Sequence, residues 1–258
     1  MDIHKPKAAH SWREFLTEIG TIVCGILIAL GLEQAVEAFH RHHLVEQAED
    51  AMRTEIVDDD GPQAFARLAI APCLSQQLDG LRTALDQRVA PEAFGKLAAS
   101  YNPPRRTWDD QAWRASQSSG VLSAMGPKKL DRWSLAYVLI PGLGETQRAE
   151  RNALAQLKLT RFKSGAWTQA RADELSDIID SLETVNFRMA SAAASQSVDM
   201  RLTGLELAGA AQNTVLAEAH VAYGNCVVKP DLHATEALRV QISSPEQQAL
   251  AAKKLLGR

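Results

Sequence analysis

An apolar run near the N-terminus, residues 19–32, constrains the fold more than any other feature of this chain. Residues 15–18 extend it with Glu18 as the only charge, which gives about 27 Å of helix at the usual rise per residue. The hydrocarbon core of a bilayer is about 30 Å thick, so this segment nearly spans it. Trp12 lies where interfacial aromatic residues are typical. We therefore predict a transmembrane helix that, with its outer end, covers residues 15–39.

The charges around this run predict its orientation. The leader contributes Lys5, Lys7 and Arg13, and the first charges after the run are Glu33 and Glu37. Positively charged flanks tend to stay in the cytoplasm. Residues 1–14 are therefore expected to be a cytoplasmic leader, and residues 40–258 a helical domain on the other side of the membrane.

Two other interpretations of the run stay open. A cleavable signal peptide would have a run of this length and small residues such as Ala29 and Gly31 at its end. A buried helix of a soluble domain would also have this length. Glu14 and Glu18 before the run, and the helical pattern that continues after it, favour a retained span over a signal peptide.

The cysteines agree with an outer domain in an oxidising compartment. Cys24 lies within the run, which leaves Cys73 and Cys226 as the one pair beyond it. An oxidising compartment would join them, and the chain-entropy model gives such a long loop at most about 5 kcal/mol of stabilisation. Two buried free thiols are the alternative.

Apolar residues at spacings of three and four predict an all-α fold. The set at 45, 48, 52 and 56 extends the membrane helix outward until the sequence DDDGP at 58–62 ends it. A second helix is expected to begin at Pro62, to kink or restart at Pro72, and to bury leucines at 74, 78, 81 and 85.

Later helices are predicted from caps and breakers. Thr107 is expected to cap a helix that begins at Trp108. Pro127 is expected to open a helix that ends at Pro141. Toward the C-terminus, residues 238–242 alternate and predict one short strand, and Pro245 opens a last helix.

The most regular spacing lies in the second half of the chain. It is an a/d pattern formed by Leu175, Ile178, Leu182, Val185, Met189 and Ala192. A charged helix at 145–161 precedes it and joins it around residues 163–165. We predict an antiparallel helical hairpin within a helical bundle; an intermolecular coiled coil is the alternative, although the pattern is short for one.

Candidate binding residues are few, and most lie near the membrane. His40, Arg41 and His43 follow the span, but only the two histidines share a helix face and no third metal ligand is close in sequence. With Trp12, we interpret these three residues as membrane-interface residues that contact lipid. Thr21, Gly25 and Ala29 recur at i, i+4 and i+8, which favours helix association in the bilayer; that small residues are simply common in spans is the alternative.

No motif in the sequence assigns a catalytic, metal or cofactor function, and we expect no cofactor. The 28 Lys and Arg residues are balanced by 31 Asp and Glu residues, so nucleic acid is not an expected partner. The least implausible wall of a binding pocket is formed by Arg105, Trp108, Asp110 and Trp113, because it joins aromatic rings to charges.

The N-terminal pattern resembles that of a group of uncharacterised bacterial proteins with one N-terminal span and a helical periplasmic domain. The resemblance is carried by WREF at 12–15, Glu18, TIVCGILIALG at 21–31, and a following helix with Glu33 and Gln34. The segment from Thr107 to Gly120 is similar to theirs as well. The resemblance implies a bacterial inner-membrane protein and carries no catalytic residues.

These patterns together predict a membrane-anchored periplasmic interaction or scaffold protein. Its expected partners are the lipid bilayer and either a second copy or an envelope protein complex, bound through helix faces. The alternative is an envelope enzyme or ligand-binding domain whose site is assembled from distant residues. A concave pocket that joins the wall around Trp108 to acids from other helices would favour this alternative.

Overall fold

The computed structural model describes residues 12–105, 107–160 and 165–232, and within them the chain is all-α, as predicted. The α-helices in chain order are α1 (Trp12–Arg53), α2 (Gly61–Asp86), α3 (Pro91–Ser100), α4 (Gln111–Ser118), α5 (Pro127–Tyr137), α6 (Ile140–Leu159), α7 (Gln169–Leu202) and α8 (Gly209–Tyr223). The predicted strand at 238–242 and the helix from Pro245 lie outside the described residues.

One uninterrupted helical stretch of 75 residues, Trp12–Asp86, joins the apolar N-terminal segment to the centre of the domain. It consists of α1, a π-helical segment at Thr54–Asp60, and α2. The predicted end at 58–62 is therefore wrong. The Gly61 N–H donates to the carbonyl of Ile56, five residues back, so a widened turn replaces the break.

Gly61 and the two prolines fit this continuous helix for separate reasons. A Cβ at Gly61 would lie 2.7 Å from Met200 Cε of α7, so any larger residue here would have to displace the end of that side chain. Pro62 falls in the first turn of α2, a position that proline tolerates. Pro72 lies inside α2 between the buried residues Ala71 and Cys73, so of the predicted kink or restart the restart does not occur.

The N-terminal part of the long helix stands clear of the rest of the described chain. Every residue from 12 to 44 is exposed, and this part includes a window long and apolar enough to cross a membrane. Burial begins at Val45 and continues at Met52 and Ile56, members of the predicted apolar set.

The predicted antiparallel hairpin is formed by α6 and α7. Leu143 near the start of α6 shares an apolar cluster with Met200 near the end of α7. Leu157 near the end of α6 shares another with Leu175 at the start of α7. All members of the a/d pattern are buried except Ala192, which is half-buried. Pro141 opens α6 instead of ending α5, so α6 begins at Ile140, earlier than predicted.

The loop before α4 differs from its prediction. Thr107 caps no helix, and α4 begins at Gln111. Side chains from the long helix hold this loop: Gln63 Nε2 donates to the Thr107 carbonyl at 2.8 Å, and the Asp109 N–H donates to Asp60 Oδ1 at 3.4 Å. These tertiary hydrogen bonds replace the local capping that the sequence suggests.

Candidate functional site

A cavity of about 450 Å³ lies between α2, α6, α8 and the loop that precedes α4. Most of its lining is apolar, and the apolar residues come from α2, the loop, α7 and α8. They include Ala66 and Ile70 of α2, Pro103, Pro104 and Trp108 of the loop, Met189 of α7, and Val215, Ala219 and Ala222 of α8. This size falls in the range of small-molecule sites.

A buried ion pair is part of the cavity lining. Arg67 Nη2 donates to Glu150 Oε1 at 2.5 Å and to Asn186 Oδ1 at 3.1 Å, and Arg67 Nη1 donates to Glu150 Oε2 at 3.3 Å. Arg67 is 5% exposed and Glu150 is 2% exposed. The bidentate geometry satisfies the carboxylate and fixes the guanidinium, so two charges share a mostly apolar site without a net charge.

Two tyrosines surround this pair and have altered ionisation. Burial raises the pKa of both Tyr101 and Tyr223. The Tyr223 hydroxyl donates to the Asn102 carbonyl at 2.9 Å, which ties the end of α8 to the loop. Both phenols therefore stay neutral at physiological pH, and the buried Tyr101 hydroxyl has no hydrogen-bond partner among the described residues.

The predicted pocket wall is brought to the cavity only in part. Arg105 and Trp108 line it, together with the acids Glu150 and Glu218 from α6 and α8. Trp113 lies elsewhere and stacks on Tyr137 at 5.4 Å between ring centroids. Asp110, which directly precedes α4, pairs with Arg114 of that helix at 2.5 Å. The arrangement is nevertheless the concave one that favours a ligand-binding domain.

Two carboxylates of the π-helical segment position the loop beside the cavity. Both oxygens of Glu55 accept from the Ala112 N–H at 3.1 Å, so a distant acid caps the N-terminus of α4. Glu55 also accepts from the Tyr137 hydroxyl at 2.6 Å, and burial together with this hydrogen bond raises the pKa of Tyr137.

Asp60 is the second of these carboxylates and is fully buried. Burial, with smaller contributions from the nearby carboxylates of Glu55 and Asp109, raises its pKa to about 8, although the hydrogen bond from the Asp109 N–H opposes the shift. Its Oδ2 has no hydrogen-bond partner among the described residues. A protonated Asp60 therefore fits this environment better than a charged one.

The predicted membrane-interface residues are all exposed on α1. Trp12 and Phe15 lie 5.6 Å apart between ring centroids. Arg41 pairs with Glu37 at 3.7 Å, and His43 lies 3.0 Å from Gln47, so these side chains make contacts one turn away on their own helix. His40 is exposed on the same surface.

The three small residues proposed for helix association, Thr21, Gly25 and Ala29, are all exposed. The Thr21 hydroxyl donates to the Thr17 carbonyl at 2.8 Å and so leaves the stripe without an outward-facing donor. A Cβ built at Gly25 meets no atom within 4 Å. The face is open within the described chain.

Cys73 and Cys226, the pair expected from the sequence, are joined by a disulfide bond with their Cα atoms 5.1 Å apart. The bond ties the middle of α2 to the turn Gly224–Cys226 after α8. Because α8 forms one wall of the cavity, this link also fixes that wall against α2. Cys24 is a free, exposed cysteine.

Several residues of the site were not predicted. Arg67 could have been found, because it is a lone charge inside the apolar sequence AFARLAIA at 64–71. Glu150 could not have been found, because it is one of many charged residues in α6 and only the three-dimensional fold shows that it is buried. The partners Arg67 and Glu150 are separated by 83 residues, so no local pattern connects them.

Comparisons with known proteins give no relative for this chain. No family model matches it, and neither the curated proteins nor the solved structures contain a significant match. The geometry of the site is therefore the basis for any functional proposal.

Proposed function

We propose that this protein is a single-pass membrane protein whose helical domain binds a small molecule in the cavity between α2, α6, α8 and the loop before α4. The observation that carries the proposal is the cavity itself: about 450 Å³, mostly apolar, and lined by the buried Arg67–Glu150 pair. Apolar walls with a few fixed polar groups are typical of ligand sites.

The proposal includes a location. We infer that residues 15–39 cross a bacterial inner membrane with the leader in the cytoplasm, and that the domain lies in the periplasm. The exposed apolar helix supports a span, because water is a poor solvent for such a surface. The Cys73–Cys226 bond supports an oxidising compartment.

A scaffold role through helix faces is the second candidate. The exposed small-residue stripe at Thr21, Gly25 and Ala29 favours self-association in the membrane. This role is compatible with ligand binding, since the stripe and the cavity lie on different parts of the chain. An envelope protein complex remains the other possible partner.

Binding can be tested with the full chain in phosphatidylcholine nanodiscs and benzyl alcohol as the probe. Ala222 is exposed on α8 and lines the cavity, so Ala222→Trp would obstruct it without entering the core. Ala217 is exposed on the same helix but does not line the cavity, so Ala217→Trp is the matched control. Saturation-transfer NMR measures contact between probe and protein, with empty nanodiscs as the blank.

We expect benzyl alcohol to give a protein-dependent signal in the wild type and in Ala217→Trp, and a strongly reduced one in Ala222→Trp. The physical reason is that the indole occupies the volume that the probe needs. A signal of equal strength in both variants would overturn the proposal, because the probe would then be binding outside the cavity.

A further inference from the structure

We propose that the cavity selects an uncharged amphipathic molecule, one with an apolar body and a single polar end that both donates and accepts hydrogen bonds. This inference rests on the proposed binding function and names the class of ligand. It follows from three properties of the lining: the balance of its charges, its uncharged hydrogen-bonding side chains, and its apolar walls.

The charges that line the cavity are balanced. Arg67 and Arg105 are opposed by Glu150 and Glu218. Arg67 and Glu150 are committed to each other through two hydrogen bonds in a buried position. An ionised ligand would therefore bring an additional charge into a site with no net opposite charge, and burying an uncompensated charge is unfavourable.

Uncharged polar side chains of the lining give the polar end of the ligand its partners. Asn102 of the loop and Gln147 of α6 carry amides, and Tyr223 of α8 carries a hydroxyl. The Tyr223 hydroxyl donates to the Asn102 carbonyl and Gln147 Nε2 donates to the Pro104 carbonyl, so these groups lie together beside the loop. A ligand amide or hydroxyl can both donate to and accept from such groups, whereas a carboxylate can only accept and an ammonium can only donate.

The apolar walls indicate the chemistry of the rest of the ligand. Trp108 and two prolines face the cavity from the loop, and Val215 and Ala219 face it from α8. These surfaces offer mainly dispersion contacts, so they suit a ring or a short hydrocarbon chain. An apolar body against these walls and a polar end at Asn102, Gln147 and Tyr223 together define an uncharged amphiphile.

The test compares three probes with one aromatic ring and similar size: phenylacetamide, phenylacetate and phenethylammonium. Each is titrated by saturation-transfer NMR against the full chain in phosphatidylcholine nanodiscs at neutral pH. Ala222→Trp and Ala217→Trp serve again as the obstructed variant and its control. Subtracting the empty-nanodisc signal removes binding to lipid.

We expect phenylacetamide to bind about tenfold more tightly than either ion, because each ion would enter without a compensating charge. The advantage should disappear in Ala222→Trp and persist in Ala217→Trp. If an ion binds more tightly and Ala222→Trp abolishes its binding, the ligand class is wrong while the binding function stands. If no probe shows binding that depends on Ala222, the proposed function itself fails.

Discussion

At the scale of single residues, the site depends on how its buried charged groups are compensated. Glu150 neutralises Arg67, and Asn186 takes a further guanidinium hydrogen bond. Asp60 is compensated less completely: one oxygen accepts a long hydrogen bond from the Asp109 N–H, and the nearby Glu55 is also acidic. Protonation is therefore the simplest way for the folded chain to accommodate Asp60.

We predict that Asp60→Asn stabilises the protein at alkaline pH. The Asp60 pKa is about 8 in the folded chain and 3.8 for an unperturbed aspartate, so between about pH 4 and 8 the folded state holds a proton that the unfolded state has lost. The free energy of unfolding of the wild type therefore falls as the pH rises through this range. Asparagine keeps an acceptor for Asp109 and does not titrate. Thermal unfolding in detergent should give a midpoint difference that grows from pH 4 to 8 and is constant above it.

The control for this prediction is Asp58→Asn. Asp58 is exposed and two residues away in the same π-helical segment. Its replacement changes the net charge by the same amount without relieving a buried carboxylate. If the two variants have parallel stability profiles across the pH range, the destabilisation does not come from the burial of Asp60.

At the scale of elements, the buried faces of the helices could be predicted from the sequence. Some of the helix boundaries could not be predicted. The leucines at 74, 78, 81 and 85 are all buried, because helical periodicity alone decides which side faces a core. The same rule identified α7. The boundary at 58–62 failed because three acids, a glycine and a proline usually end a helix, and here a π-helical turn absorbs them.

The start of α4 failed for a related reason. Thr107 has the chemistry of a cap, but Glu55, 57 residues earlier in the chain, supplies the carboxylate that binds the Ala112 N–H. Propensity describes what a segment prefers alone, and a tertiary hydrogen bond can override it. For the cavity, Trp108 and Arg105 were identified because aromatic and charged residues in a loop are informative. The alanines and Val215 of its other wall carry no such signal.

At the scale of the whole molecule, the continuous helix joins two environments. An exposed apolar segment at one end is covalently continuous with the helix that lines the cavity at the other. No loop intervenes between residues 12 and 86, so the domain is held at a defined distance from the exposed apolar segment. A flexible linker would instead allow the domain a wide range of positions.

We predict that the full chain expressed in a bacterium is recovered intact in the membrane fraction. External protease applied to spheroplasts should digest the domain, because the inferred orientation places it outside the cytoplasm. A non-reducing gel should show a faster band than a reducing gel, since the Cys73–Cys226 bond keeps the denatured chain compact. The variant Cys226→Ser is the control and should show no such difference.

Two outcomes would contradict this arrangement. A shortened soluble product in the periplasm would mean that the apolar run is a cleaved signal peptide. A chain that external protease cannot reach in spheroplasts would place the domain in the cytoplasm and remove the argument for an oxidising compartment.

The last prediction concerns self-association in the membrane through Thr21, Gly25 and Ala29. Gly25→Leu should convert an oligomer to a monomer, because a leucine side chain at the centre of the stripe keeps two helix backbones apart. Gly20→Leu is the matched control: at 3.6 residues per turn, Gly20 lies about 140° around the helix from Gly25. A Cβ at either glycine meets no atom within 4 Å, so both variants keep the fold of the single chain.

The measurement for these two variants is the mass of the complex in mild detergent by light scattering. A loss of mass only in Gly25→Leu means that the stripe is the contact, whereas an unchanged mass in both variants means that these small residues do not hold copies together.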